Sequence, residues 1–167
     1  MNTIDMTNEN VDELVEQTRA ALSQGASMAE IQGISKNTLE GIYTYAYDFY
    51  EKGRLDDAEL FFKFLCIYDF HNPDYLKGYA AVCHLKKQYQ RAYDLYYLSF
   101  SADQTFDYSS VYLMGQCQLC LKDIDMAKDC FETVVSNSKD NELINKATSY
   151  LDLLKRINVL SGKKHHE

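Results

Sequence analysis

Tryptophan is absent from these 167 residues, proline occurs once and glycine seven times. So little turn-forming chemistry argues against a sandwich of short strands and for helices joined by short loops. No apolar run approaches the roughly 18 residues of a membrane span. Cysteine is present five times, an odd number without framework spacing. The stretch from Met1 to Gln17 is polar and acidic rather than leader-like. A reducing, cytoplasmic compartment is therefore expected. There is no glycine-rich phosphate loop and no nucleophile with a base at motif spacing, so no enzyme and no cofactor are expected.

The chemistry-bearing residues that do occur read as structural. Cys117 and Cys120 form a C-x-x-C pair, but a zinc site needs a second pair. The pair also falls within a helix rather than at a helix start, where a redox thiol is activated. These two cysteines and Cys66, Cys83 and Cys130 read as buried packing residues. Asp56, Asp57 and Glu59, and likewise Asp123 and Asp125, read as solvated helix starts. His71 lies in a loop beside Asn72-Pro73, and His165-His166 lack further ligands at metal spacing. No metal site is expected.

What is plentiful is acid and tyrosine. Net charge is −8, with 46% apolar and 25% charged residues. Residues 1–35 carry six acids and one base, whereas residues 139–167 carry six bases and four acids. No basic patch emerges, so direct nucleic-acid contact is not expected and the acidic surface mainly promises solubility. Fourteen tyrosines are present, and they crowd the stretch Ile42-Tyr43-Thr44-Tyr45-Ala46-Tyr47-Asp48-Phe49-Tyr50. Ile42, Tyr45, Ala46 and Phe49 form one helical stripe, read as core. Tyr43, Tyr47 and Tyr50 form a second. A helix apolar on two sides is buried on both or has one side waiting for a partner. Phenol rings keep a polar tip, which suits an intermittently wet surface.

The first 35 residues stand apart. Val11, Leu14, Val15, Thr18 and Leu22 make an amphipathic stripe, with Asn10 and Glu13 as a capping-box pattern. Gly25 ends that helix. Ser27 and Glu30 form a second capping box, and Gly33 closes the short turn it opens. This arm either caps the domain or serves self-association, and the two roles are compatible.

From about Thr38 the chain repeats. Ala58, Ala92 and Ala127 are 34 and 35 residues apart. Ahead of each lies an apolar helix: Ile42/Tyr45/Ala46/Phe49, Leu76/Tyr79/Ala80/Cys83, then Val111/Met114/Gly115 with Gln118. Four residues after each alanine stands an aromatic (Phe62, Tyr96, Phe131), and three further on Leu65, Ser99 and Val134. Paired helices at this period, with small residues at the eighth and twentieth places, are the tetratricopeptide pattern. The consensus tryptophan is missing and the proline rule is met once. Gly53 breaks the first pair, and Asp56 with Glu59 is expected to cap the helix after it. Asn72-Pro73 opens a helix. Asp107 and Asp123 are expected to cap the two helices of the third pair. Glu142 to Arg156, with Leu143, Ile144, Ala147, Tyr150, Leu151 and Leu154 on one face, predicts a terminal capping helix. The expected fold is all-α: an arm over 1–35, three tetratricopeptide repeats and a cap over 36–156, and a flexible tail over 157–167, frayed from Ser161.

Gly41 to Tyr75, read as GIYTYAYDFYEKGRLDDAELFFKFLCIYDFHNPDY, resembles the class II chaperones of bacterial type III secretion translocators, in their SicA/IpgC-like branch. Gly78-Tyr79-Ala80-Ala81, Leu85-Lys86-Lys87-Gln88-Tyr89, Gly115-Gln116-Cys117-Gln118-Leu119 and Gly25-Ala26-Ser27 continue the likeness, which covers roughly residues 10 to 155. The resemblance implies a cytoplasmic, non-enzymatic chaperone. Such proteins hold two hydrophobic translocators soluble and apart before secretion, gripping an extended N-terminal segment of each in a concave groove. It also implies homodimerisation through the N-terminal region and, in this branch, coactivation of an AraC-type transcription regulator. Tyr43, Tyr47 and Tyr50 fall where the family has its groove aromatics.

The concave face is predicted from the first helix of each repeat, at places off the core stripe. These are Tyr43, Tyr47 and Tyr50, then Lys77, Ala81 and His84, then Tyr112, Gln116 and Leu119. Aromatics followed by small and polar groups suit an extended peptide, with Ala81 leaving room for its backbone. The alternative is that the tyrosines pack beneath the N-terminal helix. A generic scaffold that binds acidic tails remains a second function, but it needs a basic clamp, and Lys77 is the one cation on the predicted face.

Overall fold

The computed structural model describes the backbone of residues 8–162 and the side chains of residues 15–157. All regular structure among these residues is α-helical. Helices α1 (Asn8–Ser23) and α2 (Met28–Ile31) form the arm. Three hairpins follow: α3 (Lys36–Glu51) with α4 (Leu55–Tyr68), α5 (Pro73–Leu85) with α6 (Tyr89–Ala102), and α7 (Ser109–Leu121) with α8 (Ile124–Asn137). Helix α9 (Asn141–Gly162) closes the far end, packing on α8 and α7. Each helix otherwise packs chiefly on its sequence neighbours, the arrangement of a tetratricopeptide superhelix.

The small-residue columns explain the hairpins. Ala46 and Ala80, with Ala58, Ala92 and Ala127, are fully buried. Each lets a facing helix approach closely, and the aromatics Phe62, Tyr96 and Phe131 fill the space beside them. A Cβ added to Gly115 would lie 2.8 Å from the Phe131 ring, so that position must stay bare. Gly78 meets the Phe62 ring more tightly still, and this contact joins the first hairpin to the second. The turns repeat too. Gly53, Lys87 and Lys122, one per hairpin, all have positive φ (70°, 60° and 66°). Only the first is glycine, so two lysines hold a conformation costly for a residue with a Cβ.

Several expected caps are present. The Ser27 hydroxyl accepts from the Glu30 amide, and the Glu30 carboxylate accepts from the Ser27 amide. Asn72 Oδ1 accepts from the Asp74 and Tyr75 amides, with Pro73 in the first turn. Asp123 Oδ1 accepts from the Met126 amide. Asp107, expected to cap α7, does not: the N-cap is Tyr108, without a side-chain cap bond, and Asp107 instead accepts from the amide and hydroxyl of Ser109.

Other expectations need correction. Asp56 and Glu59 do not cap α4, whose N-cap residue Arg54 makes no side-chain cap bond. Lys86 Nζ, from the end of α5, reaches Asp56 at 2.6 Å and Glu59 at 2.5 Å, and Lys63 reaches Glu59 at 2.6 Å. These carboxylates tie one hairpin to the next. Helix α1 already runs from Asn8, so Asn10 lies inside it rather than at its cap. The stretch expected as a tail from residue 157 is helical to Gly162, and His165-His166 lie outside the described residues. Cys120 is exposed and Cys66 half-buried, while Cys83, Cys117 and Cys130 are buried as expected.

Tyr45 departs furthest from its reading as core, at 65% exposed. Its counterparts Tyr79 and Met114 are 5% and 6% exposed because the preceding hairpin covers them. The first hairpin has no preceding one. An apolar groove of about 320 Å³, lined by Ile42, Leu60, Phe61 and Phe64, is left on it. Leu60 and Ile67 there are each 65% exposed.

Candidate functional site

The tyrosine stripe of α3 faces α5 across a cleft of about 310 Å³. Its walls are Tyr43, Tyr47, Tyr50, Phe62, Asp74, Lys77, Gly78 and Ala81. The three rings of α3 form a ladder, with Tyr43 to Tyr47 at 6.4 Å and Tyr47 to Tyr50 at 6.0 Å between centroids. Tyr43 is anchored from behind, edge-on to Phe62 at 6.0 Å and tilted on Tyr75 at 5.5 Å. Burial pushes the Tyr43 phenol up, and Asp74, Tyr47 and Glu40 push it further. It is a neutral hydroxyl near neutrality, able to donate or accept. Tyr47 stays nearly half exposed.

The floor is made by absence. Gly78 has no Cβ because the Phe62 ring occupies that space, and Ala81 contributes one methyl group. Backbone can therefore come close to α5 at Ala81. Five of the nine residues predicted from sequence meet at this cleft: Tyr43, Tyr47, Tyr50, Lys77 and Ala81. Sequence reasoning missed Phe62, Asp74 and Gly78 as wall residues. Phe62 was read only as repeat core, and it fills both roles.

Lys77 is not a free cation. Its ammonium bonds Asp107 at 2.5 Å and the Ser109 hydroxyl at 2.6 Å. Burial raises the Asp107 carboxyl, but Lys77 and Ser109 outweigh it and hold the group below its ordinary value. The pair locks α5 to the start of α7 and removes the basic clamp that a tail-binding scaffold needs.

The remaining four predicted residues lie further along. His84 is half-buried, edge-on to Tyr89 and Tyr96 at 5.8 and 6.2 Å, with Nδ1 3.7 Å from Cys117 Sγ. Burial lowers its pKa, so the ring is neutral near neutrality. Gln116 Nε2 donates to the hydroxyls of Tyr112 and Tyr150, each at 3.2 Å. Tyr112 packs on Phe131 at 5.8 Å, and Tyr150 of α9 stacks on Phe131 at 4.8 Å. Leu119 is half-buried against the core. Burial pushes the Cys117 thiol up to about 12, far from a reactive thiolate. Among the described residues no cluster of His, Cys, Asp or Glu is arranged to hold a metal ion.

With this geometry in place, relatives become informative. A tetratricopeptide-repeat family model matches residues 39–72 and 73–104. The chaperone protein SicA of Salmonella typhimurium is 47% identical over 148 residues, covering 89% of each chain. The chain belongs to the SicA chaperone family. The uncharacterized protein YgeG of Escherichia coli K12 is also 47% identical, over 152 residues, covering 91% of this chain and 93% of that one. Among solved structures, PcrH bound to the chaperone binding region of PopD superposes with a TM-score of 0.70 at 25% identity, covering 75% of this chain and 97% of PcrH.

Proposed function

We propose that this chain is a cytoplasmic translocator chaperone of a type III secretion system, which works by binding and performs no catalysis. In this reading, an extended N-terminal segment of a hydrophobic translocator lies in the cleft of Tyr43, Tyr47, Tyr50, Lys77 and Ala81. It continues along His84, Tyr112, Gln116 and Leu119. The observation that carries the reading is an open, phenol-walled cleft whose floor is Gly78 and Ala81. Such a cleft admits a backbone and takes alternate side chains into pockets. Kinship with SicA and the fold shared with PcrH support the same reading. Two hydrophobic clients are kept soluble and apart because each occupies its own copy of the groove.

Two further parts belong to this reading. Homodimerisation is supported by two apolar faces that the described residues leave exposed: Val15 and Leu22 of α1 are 48% and 42% exposed, and the first hairpin carries the groove around Leu60 and Phe64. Coactivation of an AraC-type regulator would proceed through protein contact, since a net charge of −8 disfavours DNA.

The test is native mass spectrometry of the chain co-expressed with the products of its neighbouring genes. A soluble complex with a hydrophobic secreted protein is expected. Ala81→Glu places a charge on the cleft floor and should weaken that complex by at least about tenfold. Tyr47→Ala should weaken it less, with helicity unchanged in both. Wild-type binding by both variants would disprove the groove.

A further inference from the structure

The tyrosine cleft does not end at α5. A second cleft, of about 320 Å³, is lined by Pro73, Asp74, Lys77, Ser99, Asp103, Thr105, Asp107 and Ser110. Asp74 and Lys77 line both, so they form the saddle between a phenolic pocket and a carboxylate-rich one. Their charges are not equivalent. Lys77 is neutralised by Asp107. The Asp74 carboxylate enters none of the ion pairs found among the described residues. Nor is it needed as a cap, because Asn72 already accepts from the Asp74 and Tyr75 amides. At the Tyr43 hydroxyl the nearby Asp74 and Glu40 carboxylates both push the phenol pKa up, as negative charges do.

We infer that the segment held in the tyrosine cleft carries a lysine or arginine beside its apolar anchor, and that Asp74 selects it. This deepens the peptide-groove reading and rests on it. The apolar anchor takes the space between the rings and the Gly78–Ala81 floor. The cationic side chain crosses the saddle, where its ammonium or guanidinium meets a carboxylate that joins no ion pair among the described residues. A client with an acidic residue at that place meets Asp74 as a like charge and is rejected. Asp74 thus sets register and choice more than total affinity, as rim charges do.

The probe is a phage-displayed library of random twelve-residue peptides, panned on the full-length chain and on its Asp74→Asn, Asp74→Lys and Ala81→Glu variants. The wild type should enrich apolar anchors with a basic residue within a few positions. Asp74→Asn should lose that bias, and Asp74→Lys should turn it toward acid. In fluorescence polarisation, replacing the basic residue of an enriched peptide by alanine should cost roughly two- to fivefold in wild type and nothing in Asp74→Asn. That difference should shrink at high salt. Apolar enrichment without a basic bias, or the same bias in Asp74→Asn, overturns the inference and leaves the groove standing. If Asp74 only serves the helix dipole, Asp74→Asn lowers the melting temperature and leaves peptide choice unchanged. Identical enrichment on wild type and Ala81→Glu sinks the groove reading itself.

Discussion

The two ends of the superhelix are finished differently. At the C-terminal end α9 lies across α7 and α8, with Ala147, Leu151 and Leu154 buried and Tyr150 stacked on Phe131. At the other end, among the described residues, short α2 leans on α4, and Tyr45, Leu60 and Ile67 are exposed. A repeat array buries each hydrophobic face against a neighbour, so both ends need a cap. One end carries its cap within the chain. The other presents apolar surface that the described residues leave exposed, and the tyrosine cleft lies between that hairpin and the next.

Stability measurements can break this contrast. Phe131→Ala removes the ring that α9 closes upon and should cost about 3–5 kcal/mol in urea unfolding. Leu60→Ala at the open end should stay within about 0.5 kcal/mol. Equal losses would mean that the first hairpin is covered in solution. Self-association sharpens the same point. If two copies meet through this exposed face, Leu60→Glu with Ile67→Glu lowers the mass seen in sedimentation while leaving helicity intact, and an unchanged mass would rule that face out as the contact between copies.

The joint between the first two hairpins gives a pH test. Hydrogen bonds from Lys63 and Lys86 hold the Glu59 carboxyl down at about 2, against an ordinary 4.5. Because the folded-state value is lowered, the stabilisation is fully present above pH 4.5 and is lost as pH falls toward 2. Wild type and Glu59→Gln should therefore differ in melting temperature at pH 6, and that gap should narrow on acidification. A constant gap would show that the carboxylate is not held by its lysines. The smallest effect lies in the turns. Lys122→Gly relieves a left-handed backbone and should stabilise by up to about 1 kcal/mol, read as a higher urea midpoint.

The hairpins were legible because their determinants are local: alanines 34 and 35 residues apart, each followed by an aromatic four places on. The exposure of Tyr45 was not legible from the repeat. The helical stripe is the same as at Tyr79, and burial depends on a hairpin that the first repeat lacks. Asp56 and Glu59 were misread because helix-start chemistry is visible within four residues, whereas Lys86 lies 30 and 27 residues away. The need for glycine at 78 was not legible, since its reason is the Phe62 ring on another helix. The left-handed turns went unseen at Lys87 and Lys122 because lysine gives no sign of positive φ.

The contact of Phe62 with Gly78 has a consequence for the life of the protein. That ring is at once the hinge pin between the first two hairpins and a wall of the cleft. Anything bound there must therefore oppose the fraying of the first hairpin away from the rest. An empty copy is expected to exchange its α3 and α4 amides fastest and to be clipped there first, while an occupied copy is shielded. Turnover of the protein in the cell would then report how much client is waiting.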